Sequence, residues 1–437
     1  MNVFEKLESN VRSYCRDFPV VFTESIGSVV TDMDQRSYID FFSGAGALNY
    51  GHNNPKLREP LLEYIRSNGI THSLDFYTLA KRGFIQSFQD MVLAPRQLVY
   101  KFQFTGPTGT NAVEAAMKLA RKVTGRTNII AFSNAFHGMS LGALAATTNP
   151  QKRIGAGLPL GGVTFMPYDG YFGESVDSFD IMTRMLSKGG GVDAPAAFLF
   201  ETIQGEGGLR TASASWTQRV QELAKSIGAL VIVDDIQAGC GRSGTFFSFE
   251  GLGISPDIVC LSKSLSGYGI PMSLNLIKPE YDVWQPGEHN GTFRGNNLAF
   301  VTAKAAVEQH WQTDSFKTEL SEKIEALDTF LNELQEKIFI EFGLKVHIPG
   351  RGFLRGINLG CGDLAGRVST LAFRDGLIVE TCGVHGQVVK LLPALTIGSN
   401  QLEDGMSILE AAICAVLRET GSGAALVAEY GIGSVSI

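Results

Sequence analysis

The chain has 437 residues, of which 44% are hydrophobic and 19% charged, with fifty glycines and a formal net charge of -7 at pH 7. This composition is typical of a globular protein rather than a disordered one, and the length predicts two or three lobes. The acidic balance argues against nucleic acid or an anionic membrane as the main partner, because phosphate binding requires clustered Lys and Arg. A small-molecule ligand is therefore favoured.

The N-terminal segment and the cysteines bear on the compartment. Charged side chains interrupt residues 1–18, which excludes the apolar part of a secretory signal, and no apolar run reaches transmembrane length. The six cysteines are scattered, with no C-x-x-C pair and no cysteine–histidine pairing at zinc spacing, which predicts reduced thiols and no metal site. We therefore expect a cytoplasmic protein that binds neither nucleic acid nor membrane.

Residues 1–55 are predicted to form an N-terminal arm with a short helix, extended segments at 20–22 and 28–31, and a glycine-bearing loop at 43–52. From residue 56 to residue 320, apolar runs alternate with segments of helical period, which predicts a large α/β domain with a mainly parallel sheet and crossover helices. Its predicted strands are 99–104, 128–132, 197–201, 230–234 and 258–262.

The rest of the chain predicts a smaller α+β lobe at 321–420, to which the N-terminal arm also belongs. Its predicted helices are 319–337 and 402–420, and its β-like segments are 345–348, 353–359 and 377–380. Residues 421–437 are rich in Gly, Ser and Ala, which predicts a flexible or interface-bound tail.

In an open α/β sheet, ligands bind beyond the carboxyl ends of the strands, so the residues that follow each strand are candidates for the site. The strand 99–104 ends in a loop that contains Gly109 and Thr110 and leads into a strong helical pattern. Free N–H groups at the start of that helix, with glycine allowing close approach, predict a phosphate cradle. The alternative is a plain strand-to-helix turn with Thr110 as the N-cap.

Two further strand ends carry groups that suit a planar heterocycle. Phe136 and His137 follow the strand 128–132, and Phe136 can stack on a ring; the alternative is a core Phe beside a satisfied His. Asp234 ends the strand 230–234 in apolar surroundings, so its carboxylate needs a cationic partner. If that partner is a protonated pyridine nitrogen, the carboxylate would preserve the ring as an electron sink.

Lys263 follows the apolar strand 258–262 and enters a Ser/Gly-rich loop. A lysine that forms a Schiff base needs its amine at a rigid strand end and partly desolvated, so that its pKa falls from about 10.4 towards neutrality. The alternative is a solvated lysine after an ordinary strand.

The motif G-x-G-x-x-G, formed by Gly239, Gly241 and Gly244, is not interpreted as a dinucleotide site. The preceding strand ends five residues before Gly239, and no helical pattern follows Gly244. We expect a glycine-rich turn with an aromatic plug instead. The chain also lacks the sequence patterns of a P-loop, a G-x-S-x-G hydrolase and an H-E-x-x-H protease.

Taken in chain order, the phosphate cradle, the aromatic residue, the acid and the lysine resemble a class III aminotransferase, a fold-type I pyridoxal-phosphate enzyme. Asp234 and Lys263 stand 29 residues apart, as in that family. The similarity is carried by the segments 109–121, 136–138, 201–208, 234–244, 255–263 and 291–296. It implies pyridoxal 5′-phosphate as the cofactor and a mainly parallel central sheet, with a smaller α+β lobe formed by the N- and C-terminal segments.

The resemblance also implies a role for each residue that would contact the cofactor ring. Lys263 is implied to bond the cofactor and to move the substrate proton, and Asp234 to pair with the pyridinium nitrogen. Gln237 is implied to hydrogen-bond the ring hydroxyl. Phe136, beside His137, is implied to cover the ring face.

For the cofactor phosphate, the resemblance implies contacts with Gly109 and Thr110. In the family a threonine at the position of Thr292 comes from the neighbouring subunit. We therefore expect a homodimer, or a dimer of dimers, with shared active sites.

Within the class, the segments 106–114, 233–242 and 262–267 resemble the enzymes of the ectoine pathway that transfer an amino group from L-glutamate to L-aspartate 4-semialdehyde. The products of that reaction are L-2,4-diaminobutyrate and 2-oxoglutarate. Other ω-aminotransferases, acting on ornithine, 4-aminobutyrate or a related semialdehyde, remain alternatives, as does an aminomutase. A non-catalytic cofactor-binding protein is disfavoured, because Lys263 and Asp234 are retained.

Recognition of the glutamate carboxylates is less clear from the sequence. In relatives a glutamate at the position of Glu206 pairs with an arginine that can also take the α-carboxylate of glutamate. Here the matching residue is Lys390, which neutralises a carboxylate but cannot form a planar bidentate fork. Either the switch is altered or another arginine, such as Arg294, takes that role; the alternative for Lys390 is a surface or interface charge.

Overall fold

The computed structural model describes residues 3–173 and 175–420, so the predicted tail at 421–437 lies outside the described residues. The α-helices are α1 Val3–Leu7, α2 Tyr14–Asp17, α3 Ser43–Gly46, α4 Pro55–Arg66, α5 Leu79–Phe88, α6 Gly109–Thr124, α7 Leu141–Ala145, α8 Pro150–Arg153, α9 Ser178–Leu186, α10 Ala214–Ile227, α11 Asn297–His310, α12 Ser315–Phe342, α13 Gly362–Arg374 and α14 Ser399–Thr420. None of the helices in these ranges is long and apolar enough to cross a membrane.

The strands are β1 Phe22–Ile26, β2 Val29–Asp32, β3 Ser37–Asp40, β4 Lys101–Phe104, β5 Ile129–Phe132, β6 Val163–Met166, β7 Ala197–Phe200, β8 Leu230–Asp234, β9 Ile258–Leu261, β10 Leu274–Ile277, β11 Gly350–Arg351, β12 Leu354–Asn358, β13 Leu377–Ile378, β14 Glu380–Cys382 and β15 Val388–Leu391. They form three sheets.

The central sheet has the strand order β4-β10-β9-β8-β7-β5-β6. Only β10 runs antiparallel to its neighbours within it, which confirms the prediction of a mainly parallel sheet. Strands β5, β7, β8 and β9 are buried at every residue, because helices cover both faces, and this explains their continuous apolar runs. The sequence prediction missed β6 and β10.

Two smaller sheets have the orders β1-β2-β3-β13 and β11-β12-β15-β14. The parallel pairing of β3 with β13 joins the N-terminal arm to the C-terminal part of the chain. The division of the chain at residues 55, 320 and 420 stays a prediction.

Two of the predicted β-like segments differ from the structure. The segment 345–348 is not a strand, and only His347 forms a bridge, to Asn358. Its alternating pattern arises because Leu344 and Val346 enter the core while Lys345 and His347 face solvent. The segment 377–380 is divided at Val379 between β13 and β14, which belong to different sheets.

The glycine-rich segment after β8 forms turns and no helix, in agreement with the rejection of a dinucleotide site. Arg242 within it is fully buried and donates hydrogen bonds to Oδ1 of Asn49 and to the carbonyl oxygens of Phe353 and Pro393. It thereby ties the central sheet to the N- and C-terminal segments. Phe246 and Phe247, both buried, follow as the predicted aromatic plug.

Candidate active site

The carboxyl ends of the central strands surround a cavity of about 170 Å³. The predicted site residues that line it are Gly109, Thr110, Phe136, His137, Glu206, Asp234, Gln237 and Lys263. Gly138, Glu201 and Ile236 complete its wall. The cavity therefore unites residues that the sequence placed at separate strand ends.

Helix α6 points its N-terminus at the cavity. Its N-cap is Thr108 rather than Thr110, so the helix begins at Gly109, and the N–H groups of Gly109 and Thr110 lack an intrahelical acceptor, whereas that of Asn111 donates to the carbonyl oxygen of Thr108. A Cβ atom on Gly109 would lie 2.9 Å from Cδ1 of Ile236, so that position requires glycine. The hydroxyl of Thr110 lies 2.7 Å from Oγ of Ser140. These donors, together with the helix dipole, suit a bound phosphate.

Asp234, the last residue of β8, is buried and lies beside His137. Nδ1 of His137 lies 2.8 Å from Oδ2 of Asp234, and because a carboxylate only accepts, Nδ1 donates this hydrogen bond. Burial lowers the pKa of His137, but the hydrogen bond and charge of Asp234 outweigh burial, so that the pKa is raised. This hydrogen bond holds the side chain of Asp234 in place at the wall of the cavity.

Lys263 lies two residues beyond β9, at the start of a 3-10 turn. Its backbone has a φ of 50°, a left-handed conformation that costs a non-glycine residue about 1–2 kcal/mol. Its Nζ donates a 2.9 Å hydrogen bond to the carbonyl oxygen of Ala45. Burial lowers the pKa of Lys263, only partly offset by the charge of Glu206, which suits an amine that must react. The alternative of a solvated surface lysine is therefore wrong.

Gln237 completes the polar wall next to Lys263. Its Nε2 donates to the carbonyl oxygen of Ala45 at 3.2 Å and lies 3.5 Å from Oε1 of Glu206. Its buried Oε1 has no hydrogen-bond partner among the described residues. A buried acceptor without a donor is costly, so this atom suits a hydroxyl group of a bound molecule.

The cavity therefore presents complementary groups for a phosphorylated pyridine aldehyde. The N-terminus of α6 and the carboxylate of Asp234 both line the cavity. Oε1 of Gln237 can accept a hydrogen bond from a bound molecule. Lys263 supplies the amine and Phe136 an aromatic face. The residues present fit pyridoxal 5′-phosphate.

Glu201 also lines the cavity, and the sequence assigned it no role. It follows β7 as the other candidates follow their strands, which is the signal that could have identified it. Its carboxylate accepts from the backbone N–H groups of Phe136 at 3.1 Å and Gly205 at 3.0 Å. Burial raises the pKa of Glu201 to about 7. This carboxyl group therefore links the loop that contains Phe136 to the loop that contains Gly205.

Lys390 lies behind Glu206 and is fully buried, so the alternative of a surface charge is wrong. Its Nζ lies 2.8 Å from Oε1 of Glu206 and 2.8 Å from Oε1 of Glu380, its cross-strand neighbour on β14. Burial lowers the pKa of Lys390, but the two carboxylates outweigh this and raise it. Burial likewise opposes ionisation of Glu206, yet the charges of Lys390 and Lys263 lower its pKa to about 2.

The structure places Thr292 and Arg294 outside this cavity. Thr292 is exposed, and its carbonyl oxygen lies 2.5 Å from Nε2 of His72. Arg294 forms an ion pair with Asp75 at 2.5 Å. Their roles toward phosphate and substrate stay predictions.

Comparison with known proteins agrees with the geometry of the site. Residues 12–413 match the family model for aminotransferase class III. Diaminobutyrate–2-oxoglutarate transaminase of Halalkalibacterium halodurans is 54% identical over 419 residues, covering 95% of this chain and 97% of its own. The enzyme of that name from Vibrio cholerae is 54% identical over 412 residues, covering 94% of this chain and 99% of its own.

Among solved structures, a transaminase from the marine bacterium Virgibacillus superposes with a TM-score of 0.84 at 20% identity, covering 96% of this chain and 99% of its own. That likeness confirms the fold. The chain belongs to the class III aminotransferase family. It is a pyridoxal-phosphate-dependent transaminase with the fold-type I architecture, as the sequence predicted.

Proposed function

We propose that this transaminase transfers the amino group of L-glutamate to L-aspartate 4-semialdehyde, giving L-2,4-diaminobutyrate and 2-oxoglutarate. The observation that carries the chemistry is the convergence of Lys263, Asp234 and Gln237 on one cavity at the N-terminus of α6. The choice of substrates is supported by relatives of 52–54% identity that bear the name of this reaction. Its setting is proposed to be ectoine biosynthesis in the cytoplasm.

Pyridoxal 5′-phosphate, when bound, supplies an electron sink for the charge that develops at the reacting carbon of the substrate. The protein must hold and move the protons. Asp234, held by His137 at 2.8 Å, would pair with the pyridine nitrogen. The amine of Lys263, whose pKa is lowered by burial, accepts and returns the proton at the substrate carbon.

The remaining contacts position the reactants. The first turn of α6 would hold the phosphate, Gln237 would accept from the ring hydroxyl, and Phe136 would cover one face of the ring. A second copy of the chain supplies Thr292 to the phosphate, so the active unit is a homodimer or a dimer of dimers. Thr292 is exposed and Phe293 is 65% exposed, which supports such an interface.

Product stoichiometry tests this function. The purified holoenzyme is incubated with glutamate and aspartate 4-semialdehyde, and both products are quantified. We expect equal amounts of 2-oxoglutarate and 2,4-diaminobutyrate. Isomerisation of the semialdehyde to 4-amino-2-oxobutanoate, with almost no 2-oxoglutarate and no net diaminobutyrate, would instead identify an aminomutase. Faster turnover with succinate 4-semialdehyde or glutamate 5-semialdehyde would identify another ω-aminotransferase.

A further inference from the structure

Glu206 lies where three cavities meet. It lines the 170 Å³ cavity that contains Lys263, a second of about 180 Å³ and a third of about 320 Å³. Lys152 lines both of the outer cavities. Phe136 forms the wall between the first cavity and the second. A substrate that reacts at Lys263 can therefore extend past Phe136 toward Glu206 and Lys152.

Lys152 differs from the other cations considered for the substrate. Lys390 and Arg294 are each held by carboxylates, whereas within residues 3–173 and 175–420 Lys152 forms no ion pair. It is exposed on α8, and its Nζ lies 5.0 Å from the centre of the Phe136 ring. The ring attracts the ammonium group and holds it beside the cavities, where it remains available to an anion.

Glu206 offers the opposite charge. Its pKa of about 2 keeps it ionised at neutral pH. Lys390 is shared between Glu206 and Glu380, at 2.8 Å from each carboxylate. The side chain of Glu206 is 28% exposed, so a second cation can reach it from the cavities. The site thus pairs an available cation with an acid that retains attraction for an ammonium group.

The two substrates match this pair of charges. In glutamate, the same number of bonds separates the reacting carbon from the γ-carboxylate as separates the aldehyde carbon from the carboxylate in aspartate 4-semialdehyde. One cation can therefore bind the far carboxylate of both. The semialdehyde alone carries an ammonium group next to that carboxylate, where glutamate has a methylene group.

We propose that Lys152 binds the far carboxylate of both substrates and that Glu206 binds the α-ammonium group of the semialdehyde, which makes the subsite selective for an amino-acid zwitterion. This assignment rests on the proposed function. It predicts a preference for aspartate 4-semialdehyde over succinate 4-semialdehyde, which has the same length and carboxylate but lacks the ammonium group.

The test measures kcat/KM for both semialdehydes with the pyridoxamine form of the enzyme. Lys152→Gln should lower both values about 10- to 100-fold and leave their ratio unchanged, because one charge-assisted hydrogen bond is lost. Lys152→Arg should retain most of the activity. Lys317→Gln, which removes the same charge from an exposed position on α12, is the matched control and should change neither value.

Glu206→Gln tests the second half of the proposal. It should lower kcat/KM for aspartate 4-semialdehyde more than for succinate 4-semialdehyde, so that the preference shrinks. Unchanged activity of Lys152→Gln, an unchanged preference in Glu206→Gln, or a wild-type enzyme without preference would each overturn the assignment. If the wild-type enzyme makes no diaminobutyrate from glutamate and the semialdehyde, the proposed function itself fails.

Discussion

The two ends of the active-site cavity are built in different ways. At the cofactor end, Asp234 is the last residue of β8 and Lys263 lies two residues beyond β9, and these strands are parallel neighbours in one sheet. At the substrate end, Glu206 follows β7 of that sheet, whereas Glu380 and Lys390 lie on β14 and β15 of another. The cofactor end is thus fixed within one sheet, while the substrate end requires two sheets to be packed together.

The electrostatics of the two ends differ accordingly. At the cofactor end, Asp234 has a hydrogen-bonded partner in His137 at 2.8 Å. At the substrate end, one lysine faces two carboxylates at 2.8 Å each. A buried ion pair contributes little net stability when it is complete, but it is costly to break. The substrate end should therefore be the more sensitive to loss of one charge.

Removal of the Lys390 amine should have the largest effect on stability at the substrate end. Lys390→Met should destabilise the protein by about 3–5 kcal/mol, because the buried carboxylate of Glu380 and the half-buried carboxylate of Glu206 lose their shared cation. Denaturant unfolding of the wild type and the variant measures the difference. The matched control is Lys337→Met, which removes a half-exposed lysine paired with Glu410 at 2.6 Å and should change stability little. Equal effects of the two variants would contradict the account.

Asp235 follows Asp234 in the chain, yet within residues 3–173 and 175–420 its carboxyl group forms no ion pair. Its buried carboxylate accepts from the backbone N–H of Ser248 at 3.1 Å. Burial raises its pKa from the ordinary value of 3.8 to about 7. Between these values the folded state binds more protons than the unfolded state, so stability falls as the pH rises.

Asp235→Asn should therefore reduce the loss of stability that occurs between pH 4 and pH 7. The part of that loss due to Asp235 is at most roughly 1.4 kcal/mol per pH unit. Unfolding midpoints measured across that range test the expectation. Asp282→Asn, at an exposed position, is the control and should keep the wild-type slope. A variant at Asp235 that retains the wild-type pH dependence would argue against a buried, protonated carboxyl.

The sequence predicted the cofactor end because strand, turn and functional residue are adjacent in the chain. Each apolar run ended within two residues of the observed strand end, so Asp234, Lys263 and Gly109 could be placed at one edge of the sheet. The short strand β10 was missed because the polar residue Asn275 interrupts its apolar run, and its antiparallel direction follows only from its pairing with β9.

The substrate end could not be predicted in this way. The segment 377–380 appeared as one strand, whereas Glu380 begins a second strand that turns it toward Lys390. Lys390 itself is buried because β12 and β14 pair with both edges of its strand. Only the packing of these strands reveals that a lysine and two glutamates share one cluster.

Lys263 is proposed to hold the cofactor. The residue that carries the cofactor can be identified directly. Borohydride reduction of the holoenzyme fixes the cofactor to the amine that carries it, and mass spectrometry of a digest locates the phosphopyridoxyl group. We predict that the group lies on Lys263, and that Lys263→Ala carries none and loses turnover at least about 100-fold. A phosphopyridoxyl group on Lys390 or Lys152, or full turnover by Lys263→Ala, would contradict the account.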